Sequence, residues 1–215
     1  MFEVEKIIKL NQDWISIFLL LSLLIIGFLK NIDKKKFGIL VYSINSEKYF
    51  SSYAKEKQIN YLNPFNLLKM IFILNIISFL LTSIIDELIS FEKFITVYLI
   101  ILIISVSRYF ILKYIARFLN LANLFEQLVF KSFSSYFRIS LLAFPLLLIY
   151  KFTFPTNINF LFFLSFIIAS GIFIGHLRIY YKIAYNKSSS FFYIILYLCA
   201  FKITPWLLVS DYIIN

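Results

Sequence analysis

Few residues in this chain could do chemistry, and the costliest of them is Lys202. It interrupts the hydrophobic stretch Phe191 to Ile214 (FFYIILYLCAFKITPWLLVSDYII), three positions before Pro205. At 1.5 Å per residue Lys202 lies roughly 17 Å from Phe191, near a bilayer midplane, where a charged side chain costs roughly 2.5 to 3.5 kcal/mol to insert. Pro205 lacks an N–H, so the carbonyl of Phe201 is released beside the lysine and could accept from its ammonium. A kink beside a cation suits a transport pathway; a neutral lysine or one solvated in a crevice has the same sequence. Asp86 and Glu87 are the nearest acids by type. A straight helix puts them close to the outer surface, so pairing with Lys202 would require tilt or a kink. Adjacent helical positions diverge by about 100°, so the two acids cannot both face one substrate.

The second group is cationic. Arg108, Lys113 and Arg117 share a broad helix face, because steps of five and four residues turn about 140° and 40°. Arg138 enters the next apolar block, and Arg178 closes a later one. Such a collar could hold an anionic ligand such as a lipid phosphate; interfacial cations that snorkel toward water explain the same residues. His176, beside Arg178, reads as interfacial, and Cys199 as a small buried hydrophobe. With one histidine and one cysteine, the counts preclude an intramolecular disulfide or a Cys/His-rich zinc site. No Gly-rich phosphate loop, HExxH pair or G-x-S-x-G turn occurs, so no catalytic, cofactor or metal site is assigned and the reading leans away from an enzyme.

The elements that must position these residues are membrane helices. Hydrophobic residues make up 61% of the 215, well above the roughly 45 to 50% usual in soluble domains. They come in blocks separated by short charged stretches, which is the pattern of membrane spans. The expectation is an all-α, multi-pass helical bundle in one transmembrane domain over 1–215. Its six approximate spans are 14–29, 67–89, 94–115, 136–150, 158–180 and 191–213. The first block has no cleavage site of the A-x-A type and reads as a retained helix. Between Lys30 and Lys69, Phe37, Leu40, Val41 and Ile44 recur at three- and four-residue spacings, which suits short amphipathic helices on the membrane surface. Asn63-Pro64 marks the start of the next helix. The stretch from Asn120 to Ser135 reads as a partly polar connector, and Gly171 and Gly175, one turn apart, as a close-contact seam.

The net charge of +10 could suggest nucleic acid, but the basic residues sit between apolar blocks and form no soluble basic face. With the first long loop in the cytoplasm, that side holds 16 of the 21 Lys and Arg residues. The positive-inside bias then puts both termini on the periplasmic side. The expected partners are anionic headgroups of the bilayer and another membrane protein.

Three segments carry a family resemblance: QDWISIFLLLSLLIIGFLK at the start, NLFEQLVFKSFSSYFRISLLAFP in the middle, and FFYIILYLCAFKITPWLL at the end. Together they resemble a family of small bacterial inner-membrane proteins grouped as domain of unknown function 4271. The best motif runs from Leu196 to Ala200 with Pro205 behind it; members often carry Glu where this chain has Lys202. The resemblance implies the bacterial cytoplasmic membrane and no settled activity. The function expected is a non-enzymatic accessory or scaffold subunit in cell-envelope assembly or export. The alternatives are a small transporter or ion-coupled carrier using Lys202 and Pro205, or a binder of an anionic lipid-linked substrate at the arginine collar.

Overall fold

A computed structural model describes residues 13–42, 63–85, 90–118, 120–153 and 158–186. These form six helices: α1 (Asp13–Ile32), α2 (Lys34–Tyr42), α3 (Pro64–Ile85), α4 (Phe91–Phe118), α5 (Ala122–Thr153) and α6 (Ile158–Asn186). Five of them, all but α2, are long and apolar enough to cross a membrane. The expected sixth span, 191–213, lies outside the described residues. Large side chains on the outer faces are bare, among them Leu20, Leu24 and Phe28 on α1 and Phe162, Phe163 and Phe166 on α6. So broad an apolar surface is compatible with lipid and not with water.

Local chemistry sets the helix ends. Asp33 caps α2, its Oδ1 accepting from the Lys36 N–H at 2.8 Å. Asn63 caps α3: its side-chain oxygen accepts from the Phe65 N–H at 3.2 Å, with Pro64 at the first helical position, where no N–H is needed. Ser90 caps α4 through the Lys93 N–H at 3.3 Å. Between α4 and α5 the chain turns at Asn120, with φ of 56°. There the Leu121 N–H donates to the Ala116 carbonyl at 2.8 Å and the Asn120 N–H to the Arg117 carbonyl at 3.1 Å. This is a Schellman ending, in which Asn tolerates the left-handed conformation better than most residues.

The stretch expected as a connector, Asn120 to Ser135, is therefore mostly helix. The fourth block begins at Ala122, not near Tyr136, and ends at Thr153, three residues past its expected end at 150. Glu126, Gln127 and Lys131 did not break the helix because Glu, Gln and Lys are good helix formers.

α3 is the hub and touches α1, α4, α5 and α6. Of its most apolar stretch 56% is buried, against 6% for α4. Its rings pack into those of its neighbours: Phe72 against Phe137 and Phe144 of α5, and Phe79 against Phe18 of α1. At one end Trp14 of α1 meets Phe91 and Phe94 of α4, each ring pair 5.4 Å apart. With lipid outside as apolar as the core, such packing, worth about 0.5 to 1.5 kcal/mol per aromatic pair, carries the association of the helices.

Those contacts fix depth. Trp14 is level with Phe91, so α4 runs about 14 Å past the end of α1. The beginning of α5 and the end of α6 accompany it. Tyr150 stacks on Phe160 at one end of the α5–α6 pair, and Tyr136 meets His176 further along, so the two helices run antiparallel in register. The projecting end has its own small core of Leu112, Ala116 and Phe125, flanked by Tyr109 and Val129.

Candidate functional site

Polar side chains concentrate on the hub. Asn66, Lys69, Asn75, Ser78, Thr82 and Ser83 of α3 are all buried. Most hydroxyls in this fold turn back on their own helix: Thr82 Oγ1 donates to the Ser78 carbonyl and Ser83 Oγ to the Phe79 carbonyl, both at 2.8 Å. That satisfies the donor without a neighbouring helix. Ser78 Oγ differs, being buried with no hydrogen-bond partner among the described residues.

Lys69 is fully buried. Its Nζ sits 4.2 Å from the centre of the Phe133 ring and 6.0 Å from that of Phe130, so α5 presents aromatic faces to the ammonium. Lys36 makes a similar arrangement, its Nζ 5.4 Å from the centre of the Phe65 ring, and is only 3% exposed. Both lysines, which belong to the charged stretches between the apolar blocks, are packed inward. Their long apolar stems allow this.

On its other face α5 meets α6. Gly175 lies so near Ser135 that a Cβ on the glycine would stand 2.7 Å from Ser135 Oγ, whereas Gly171 faces open space. The expected two-glycine seam is therefore a one-glycine contact. Next to it, His176 is 3% exposed, its ring 4.7 Å from that of Tyr136. His176 Nδ1 lies 2.8 Å from the Ile172 carbonyl, which can only accept, so Nδ1 carries the hydrogen. The histidine thus faces the interior of the bundle, against α5.

The expected collar separates by depth. Following the packing of α4 on α5 (Tyr109, Leu112 and Ala116 with Phe125 and Val129) and the register of α5 with α6 (Tyr136 against His176), Arg108 comes level with the 126–133 stretch of α5 and Arg178 with its inner end. Lys113 and Arg117 lie farther out, toward the Asn120 turn. Lys113 rests 5.4 Å from the centre of the Tyr109 ring, and Arg117 and Arg178 are exposed. Arg138 lies about 7 to 18 Å deeper than the first two, half-buried, its Nε donating to the Ser134 carbonyl at 3.4 Å. Arg138 does not share an anion site with Lys113 and Arg117. The remaining candidates, Lys202, Pro205, Asp86 and Glu87, lie outside the described residues. Among the described residues no three His, Cys, Asp or Glu side chains come together as a metal site.

Sequence reasoning missed Lys69, Ser78 and the Ser135–Gly175 contact. For Lys69 and Ser78 one signal was available: α3 carries six polar residues inside an apolar block and would expose them to lipid in any position but the centre.

A family model described as Domain of unknown function (DUF4271) matches residues 15–213, nearly the whole chain. No curated protein and no solved structure matches.

Proposed function

The chain belongs to the DUF4271 family, and from that premise we propose that it is a non-enzymatic component of the bacterial cytoplasmic membrane. It serves as an accessory or scaffold subunit in cell-envelope assembly or export, and it docks an acidic surface of a membrane-protein partner. One observation carries this. The end of α4 and the start of α5 project together beyond α1 around a core of their own and display Lys113 and Arg117 with Glu126 beside them, while the exposed Arg178 of α6 stands near the level of Arg108. A rigid basic platform outside the apolar layer suits steering and docking better than chemistry. The positive-inside rule puts that platform in the cytoplasm and Ser90, at the opposite end, in the periplasm.

The test is cross-linking in intact membranes followed by purification of the full chain. Arg117→Glu with Arg178→Glu should abolish the cross-linked species while the protein remains folded and inserted. A lone chain in the wild type, or a cross-link indifferent to both charge reversals, would sink the proposal. A cysteine at Ser90 should react with a membrane-impermeant thiol reagent from the periplasm; reaction only after the membrane is opened would reverse the orientation.

A second function, a small ion-coupled carrier working through Lys202 and Pro205, is favoured by one feature: the buried row of Asn75, Ser78 and Thr82 along the second half of the hub, with Ser78 Oγ lacking a hydrogen-bond partner among the described residues. Flux unchanged in both Lys202→Leu and Ser78→Ala would argue it away.

A further inference from the structure

The face of α1 turned away from α3 is notched. Ile15, Leu19, Ser22 and Leu29 point into the bundle, and on the opposite side Leu24, Gly27, Phe28, Lys30, Asn31 and Lys34 line an open groove of about 460 Å³. Gly27 makes the notch: a Cβ there would meet no atom within 4 Å. Leu24 and Phe28 remain 56% and 57% exposed, so the groove is open to the surroundings. Its floor is hydrocarbon. Its lip is cationic, because Lys30 and Asn31 lie about 4.5 and 6 Å along the axis from Gly27, and Lys34 follows at the start of α2.

We infer that this groove seats one anionic glycerophospholipid of the surrounding bilayer, an acyl chain lying over Gly27 between Leu24 and Phe28 and the phosphodiester held by Lys30 and Lys34. The position fits, since α1 ends here and its apolar face gives way to lysines. So does the charge. Around the lip stand Lys30, Asp33, Lys34 and Lys35, a surplus of two positive charges, while Lys36 turns inward over Phe65. The Asp33 carboxylate is engaged in capping α2 through the Lys36 N–H. A zwitterionic headgroup would bring a third cation to two lysines; a phosphatidylglycerol-type headgroup brings none, and its net negative charge is attracted by each lysine near the membrane surface. The site is separate from the projecting basic end and does not depend on that end binding a partner.

The experiment uses the full chain, delipidated in detergent and titrated with dioleoyl phosphatidylglycerol or dioleoyl phosphatidylcholine, with bound lipid counted by native mass spectrometry. The first phosphatidylglycerol should bind roughly tenfold more tightly than phosphatidylcholine. Lys30→Gln with Lys34→Gln should bring that ratio close to one. Gly27→Leu puts a side chain into the notch, where its Cβ meets no protein atom within 4 Å, and should weaken both lipids together while far-ultraviolet circular dichroism stays that of the wild type. Arg117→Glu with Arg178→Glu should leave the preference intact, and glycerol phosphate, which has the anion without the chain, should fail to compete. A preference that survives loss of both lysines, vanishes with the two arginines, is untouched by Gly27→Leu, or yields to glycerol phosphate would overturn the assignment.

Discussion

Gly171 and Gly175 lie one turn apart on α6 and look equivalent in the sequence, yet the fold gives them opposite responses to the same substitution. A Cβ at Gly175 would stand 2.7 Å from Ser135 Oγ and 3.9 Å from Ile139 Cδ1; at Gly171 it would meet nothing within 4 Å. Ordinary contact begins at 3.4 Å, so Gly175→Ala must part α5 and α6 by about 0.7 Å or turn the Ser135 hydroxyl aside in a site only 5% exposed. Overpacking of that kind costs about 1 to 3 kcal/mol. Alanine returns about 1 kcal/mol of helix propensity at either position. The net is a loss of about 0 to 2 kcal/mol for Gly175→Ala and a gain of up to about 1 kcal/mol for Gly171→Ala. For a chain of this size the two variants should differ in unfolding midpoint by about 2 to 12 °C. Thermal unfolding of the purified proteins in one detergent, followed by far-ultraviolet circular dichroism, measures the difference. Ser135→Ala removes the obstructing oxygen, so the Gly175→Ala, Ser135→Ala double variant should recover most of the loss. A Gly175→Ala midpoint at or above that of Gly171→Ala, or no recovery in the double variant, would refute the close approach of α5 and α6 at this point.

Three further expectations concern the hub, the turn and the aromatic end. Phe133→Leu should weaken the fold more in the wild type than in a Lys69→Met background, with a coupling of about 0.5 to 2 kcal/mol in a double-mutant cycle; zero coupling would mean that the ring contributes nothing to holding the buried ammonium. Asn120→Gly should hold or slightly raise the unfolding midpoint, whereas Asn120→Val, which forces a β-branched residue to positive φ, should lower stability by about 1 to 2 kcal/mol; the same thermal assay decides. Trp14→Ala removes the indole from Phe18, Phe91 and Phe94 and should cost about 3 to 5 kcal/mol by denaturant titration. A loss below about 1 kcal/mol would mean that this aromatic cluster does not hold α1 to α4.

How much of this was legible in the sequence follows from what hydropathy measures. It located the apolar blocks that become α1, α3, α4 and α6, and Asn63-Pro64 marked the start of α3, because a cap followed by proline has a local cause. It misplaced the start of α5, since Glu126, Gln127 and Lys131 lower the hydropathy without ending a helix, being good helix formers. The Asn120 turn, a single residue at positive φ, was the true boundary. It could not assign the inward faces, because lipid and protein interior are equally apolar and a leucine is content in either. Polar residues are not indifferent. Lys69, Asn75, Ser78, Thr82 and Ser83 would each be penalised against lipid, and all five are buried on α3. The span with the most buried polar side chains is thus the one its neighbours surround. By the same argument a cation inside an apolar block, as Lys69 is, reports the inside of the bundle before it reports a function.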